Sequence, residues 1–135
     1  GIDVGRVGHR GEGAVARENC ARQIEATPRA AGATVIVMGD MNSGPDRPPY
    51  RVLTDDEGLR LKDARPGAAV DFGPAGTFNG FDIKGTDLAI DHIFVDRAVT
   101  VARYGVLTDS VGGQVISDHF PVVADLILPA GAKNP

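Results

Sequence analysis

The chain has 135 residues, 42% hydrophobic and 24% charged, with a formal net charge of -4, which fits one globular domain with a modest core. That acidic balance argues against a broad basic surface of the kind that grips nucleic acid through its backbone, and leaves room for a local basic rim around an acidic metal site. The single cysteine, Cys20, excludes an intramolecular disulfide, and no apolar run approaches the roughly 18 residues of a membrane-spanning helix.

Taken in chain order, residues 1–13 hold five glycines and little periodicity, so they read as a loop or a damaged strand end. They also lack the apolar core of a signal peptide. Residues 13–27 read as a helix ended by Pro28. Ala16, Cys20 and Ile24 fall four apart on it, and this narrow apolar stripe makes Cys20 an expected small core residue. "ATVIVMG" (33–39) is a continuous apolar run that suits a strand covered on both faces. "SGPDRPP" is a loop, and "PYRVLTDDEG" reads as a short helix with proline in its first turn and glycine after its end. Residues 62–76 are irregular, and "GTFNGFD" (76–82) is a loop. "LAIDHIFV", "VTVARYGVL" and "FPVVADLIL" read as strands, with "VGGQ" a turn between the last two and "PAGAKNP" a tail. This order favours an α+β or α/β arrangement with helix packed on sheet.

The polar residues beside these strands carry the chemistry. Asp40 and Asn42 stand where the first apolar run stops, and residues two apart on an extended chain point the same way. A carboxylate there can hold a cation or take a proton from water, and an asparagine amide can donate to a phosphate oxygen. The same letters also make an ordinary turn. Asp118 is an oxygen ligand suited to Mg2+ or Mn2+. His119 beside it can donate to an oxygen that gains charge in a transition state. Ser117-Asp118-His119 also fits a capped turn. A serine-hydrolase reading of Ser117 lacks the G-x-S-x-G elbow. Alternation places Asp91 on one strand face with Ile93 and Val95, and His92 on the other with Ile90 and Phe94. Asp91 is therefore expected either as a buried carboxylate partnered by His119 or as a solvated strand residue. His92 is expected as a packed or exposed strand residue.

"GDMN", "GTFNGFD", "AIDHIFV" and "SDHFPVVADL", in this order, resemble the carboxyl-terminal half of the endonuclease/exonuclease/phosphatase family. That family includes exonuclease III-like and DNase I-like nucleases, sphingomyelinases and inositol-polyphosphate phosphatases. "GAVARENCARQI" is also similar to the Arg-rich helix ahead of the G-D-x-N strand in bacterial members. The resemblance implies an α/β fold, part of a four-layer α/β/β/α sandwich, and Mg2+- or Mn2+-assisted hydrolysis of a phosphate ester. By match to the motifs, Asp40 would activate the attacking water and Asn42 would hold the scissile phosphate. Asp118 would belong to the metal environment, His119 would stabilise the transition state, and Asp91 would orient His119.

The chain departs from the pattern at three places. The family domain is about twice this length, and its amino-terminal half supplies an asparagine and a metal-ligand glutamate in a Q-E pair that is absent here. In "GRVGHRGEG", His9, Arg10 and Gly11 remain, with His9 expected to face the phosphate, but Arg6 stands where a first histidine belongs. His92 occupies a position where many members carry tyrosine. Residues 1–135 are thus expected to form a single domain lacking its amino-terminal half, with an apolar sheet face that the missing half or a second copy in a homodimer would cover. The expected activity is a metal-dependent phosphodiesterase, nuclease or phosphatase acting on a small phosphodiester or nucleic acid. The alternative is a non-catalytic half-domain with a binding or structural role.

Overall fold

A computed structural model describes residues 5–131 except residue 56, and the side chains from residue 13 onward. Residues 1–4 of the expected opening loop and 132–135 of the expected tail lie outside the described residues. The elements are α1 (Gly5–Ala26), β1 (Ile36–Asp40), α2 (Pro48–Thr54), β2 (Lys62–Asp63), β3 (Val70–Phe72), β4 (Asp91–Val95), β5 (Thr100–Val106) and β6 (Val122–Ile127). They form two three-stranded sheets. The first, in order β1-β4-β2, is antiparallel. The second, in order β3-β5-β6, pairs β3 parallel and β6 antiparallel to β5.

The sheets face each other through Ile93 and Val95 of β4, Val101, Tyr104 and Val106 of β5, and Phe120 just ahead of β6. On the other side of the first sheet, Phe94 packs with Leu53 of α2, Leu61 and Ala21 of α1. The result is helix, sheet, sheet: three layers of the expected four-layer sandwich. Among the described residues no helix covers the outer face of the second sheet. No described helix is long and apolar enough to cross a membrane.

Four expectations are corrected. The helix begins at Gly5 and not at Gly13. No proline interrupts residues 5–12, and once a helix is nucleated each further residue adds a hydrogen bond that glycine weakens but does not abolish. Ala16 and Cys20 are exposed. The face turned to α2 carries Arg17, Glu18, Ala21 and Ile24 instead, so only Ile24 belongs to both stripes. Small Ala21 permits the close approach. Strand β1 is covered on one face only. Val35 and Val37 join the helix-side core, whereas Ile36 and Met38 are 40% and 71% exposed on the opposite face. The continuous apolar run therefore signals a strand at the open edge of the first sheet. Residues 62–76 also contain two short strands, β2 and β3, where the irregular composition hid the pairing.

Leu53 is fully buried where α2 meets the sheet. Leu53→Ala is expected to lower unfolding stability by about 2–5 kcal/mol. The exposed Met38→Ser is expected to change it by less than about 0.5 kcal/mol. Urea unfolding of the chain and both variants checks the contrast.

Candidate active site

The end of β1 meets the start of β4. Asp40 and Asp91 are register partners, so two carboxylates face each other across adjacent strands. The backbone turns immediately after Asp40. Asn42 takes a left-handed φ of 47°, a conformation that asparagine tolerates better than most residues. Its backbone N–H donates to Asp40 Oδ1 at 2.7 Å and its side-chain amide donates to Oδ2 at 3.0 Å. The two side chains thus meet through a turn and not through an extended i, i+2 pair.

Asp91 lies on the inter-sheet face with Ile93 and Val95, as alternation predicts, and it is partnered. Its Oδ2 accepts from Thr77 Oγ1 at 2.6 Å and lies 2.8 Å from His119 Nδ1. Thr77 Oγ1 in turn accepts from the backbone N–H groups of Ile90 and Asp91, both at 3.1 Å. This hydrogen bond to Asp91, reinforced by the charges of Asp91, Asp40 and Asp118, holds the His119 pKa above the usual histidine value, against some desolvation. With Nδ1 committed to Asp91, His119 Nε2 is left facing Asp40, 3.9 Å from its Oδ2.

The Asp118-His119 stretch is held by the 76–82 loop. Asn79 and Gly80 donate backbone N–H groups to the Asp118 carbonyl at 2.7 and 3.1 Å, and Phe120 N–H donates to the Thr77 carbonyl at 2.7 Å. The Phe78 ring meets His119 edge-on at 5.3 Å between centroids. Ser117 Oγ accepts from the His119 N–H at 3.2 Å, so that hydroxyl caps a turn. Sequence reasoning missed Thr77 as the anchor of Asp91. The available signal was Gly76 before it, where a Cβ would lie 1.8 Å from the Thr86 carbonyl oxygen. The loop can pack this closely only with glycine there. His92 faces the helix-side core, 4% exposed, with Nε2 2.9 Å from the Ser43 carbonyl. It lies on the face of β4 away from Asp91. The His9 side chain lies outside the described residues.

A cavity of about 710 Å³ opens beside this cluster, lined by Asn42, Asp118 and His119 among others. Asp40, Asp91 and His119 each offer a ligand atom within 4.8 Å of the others. Two carboxylates and one imidazole are a donor set that fits a hard divalent ion. The Asp118 carboxylate is not within that cluster, although it lines the same cavity.

The sequence model of the Endonuclease/Exonuclease/phosphatase family matches residues 4–119. Among solved structures, the chain is similar to the mannosyl-6-phosphatase of Bacteroides thetaiotaomicron VPI-5482, with 33% identity and a TM-score of 0.71 over 84% of this chain and 46% of that one. An endonuclease/exonuclease/phosphatase family protein from Bacteroides thetaiotaomicron is 32% identical, with a TM-score of 0.73 over 85% of this chain and 46% of that one. One from Bacteroides vulgatus is 29% identical, with a TM-score of 0.72 over 84% and 44%. The chain thus spans about half the length of these solved relatives. No curated protein shows a significant match. The chain belongs to the endonuclease/exonuclease/phosphatase family.

Proposed function

We propose that this chain carries the hydrolytic centre of a phosphate-ester hydrolase and forms the carboxyl-terminal half of one catalytic domain. The observation that supports this most is the meeting of Asp40, Asn42, Asp91 and His119, drawn from three separated segments, in one cluster whose Asn42 and His119 line the adjoining cavity. Asp40 takes the proton of the attacking water. Asn42 uses one amide N–H on Asp40 and keeps the other for a phosphate oxygen. His119 donates from Nε2 to the phosphorus-bound oxygens as they gain charge, and Asp91 fixes the ring so that this donor is set before reaction. Asp118 would hold a Mg2+ or Mn2+ ion, for which the donors of Asp40 and Asp91 are also suited. When bound, such an ion neutralises phosphate charge and favours attack. His9 is the proposed further phosphate contact. An amino-terminal half, or a second copy of the chain, would cover the Ile36–Met38 face and complete the site.

Similarity to a mannosyl-6-phosphatase favours a phosphomonoester on a sugar over the small phosphodiester or nucleic acid expected from the sequence. The net charge of -4 also weighs against duplex DNA.

Hydrolysis of p-nitrophenyl phosphate and bis-p-nitrophenyl phosphate with Mg2+ or Mn2+ tests the proposal. Asp40→Ala and His119→Ala are each expected to lower kcat by about 10²- to 10⁴-fold. Metal-dependent turnover that survives both variants would place the chemistry elsewhere. Absence of turnover in the unaltered chain would mean that the amino-terminal half is required, and absence of saturable Mg2+ or Mn2+ binding as well would favour a binding or structural half-domain.

The raised His119 pKa sets a second expectation. Because the folded value lies above the unfolded one, the stability it contributes is complete below the ordinary value of about 6.5. It is lost as the pH rises through the folded value. The stability gap between the chain and His119→Gln should therefore be widest at acid pH and shrink on going alkaline. An NMR titration should place the His119 midpoint above about 6.5, falling in Asp91→Asn.

A further inference from the structure

The cavity beside the cluster is lined by α1 and the loop ahead of α2 as well as by His119, and it carries two arginines, Arg17 of α1 and Arg47 just before α2. Neither guanidinium has a hydrogen-bond or ion-pair partner among the described residues. Neighbouring arginines are engaged: Arg22 pairs with Glu18, Arg51 donates to the Asp46 carbonyl, Arg65 pairs with Asp71, and Arg103 pairs with Asp125. A protein of net charge -4 thus leaves two cations uncommitted at one cavity. The lining also includes apolar Phe78, Leu88 and Ile90. A planar guanidinium presents several donors in a fork that matches phosphate or carboxylate. Apolar side chains beside a few polar groups suit the carbon face of a sugar ring or a similar body.

We propose that this cavity is a subsite for the part of the substrate remote from the scissile bond, and that Arg17 and Arg47 bind a second anionic group on it. Resting on the phosphate-ester reading above, the inference narrows the substrate to a small molecule with two anionic groups. One is the ester phosphate at Asn42 and His119, and the other is a phosphate or carboxylate at the arginines.

Calorimetry of the metal-free chain with fructose 6-phosphate, fructose 1,6-bisphosphate and 6-phosphogluconate tests this, alongside Arg17→Gln/Arg47→Gln. Glutamine keeps the helix propensity of arginine, and circular dichroism checks that the double variant is folded. The chain should bind at least one doubly anionic ligand about tenfold more tightly than the monophosphate, a difference of about 1.4 kcal/mol. That preference should vanish in the double variant. Tighter binding of the bisphosphate alone assigns the subsite to phosphate, and tighter binding of 6-phosphogluconate as well assigns it to anions generally. Equal binding of all three by the unaltered chain, or a preference that persists in the double variant, overturns the proposal. Turnover of p-nitrophenyl phosphate reads the underlying activity separately. If the chain hydrolyses that substrate but shows no preference among the sugar phosphates, the second-anion inference alone fails.

Discussion

The pairing of Asp91 with His119 is the interaction on which the site depends. A carboxylate on the inter-sheet face of β4 is costly to bury without partners, and here Thr77 and His119 satisfy the same oxygen. The Thr77 hydroxyl accepts from the backbone at the start of β4, and the loop that carries it also receives the chain entering β6. One hydrogen-bond network therefore ties a strand of the first sheet to the entry of a strand of the second. A single histidine ends up with one nitrogen fixed and the other directed at Asp40.

Much of this was legible in the sequence because strand alternation and turn chemistry are local. Period-two alternation put Asp91 on the face of Ile93 and sent His92 to the opposite side, where it meets the Ser43 carbonyl. "GDMN" announced the turn after β1. What local pattern could not disclose were contacts between distant segments. The glycine before Thr77 signals close packing of the loop, but not that the Thr77 hydroxyl will bridge to Asp91. The stripe of Ala16, Cys20 and Ile24 is a real periodicity, yet the face that packs is one residue around, because α2 and not α1 decides where contact is made. Likewise, the apolar run of β1 cannot distinguish a strand buried on both faces from one whose second face awaits another layer.

That exposed face connects fold to function. Ile36 and Met38 run along the edge strand that delivers Asp40, so whatever covers them also borders the site. The solved relatives are about twice as long as the region they share with this chain. An edge strand completed by further chain would exclude water from the Asp40–His119 gap, where a less polar surrounding strengthens each charge-assisted contact. The donors converge at one end of these strands while Ile36 and Met38 beside them stay exposed.

The central claim is that the ends of β1 and β4 and the Asp118–His119 segment form one phosphate- and metal-binding site. Paramagnetic broadening of amide NMR signals by substoichiometric Mn2+, with and without inorganic phosphate, tests it most directly. The account predicts that residues 40–42, 91 and 117–119 broaden together, that phosphate sharpens this selectivity, and that Val123 and Ile127 on the far sheet are spared. Broadening centred elsewhere, or confined to one of the three segments, would contradict it.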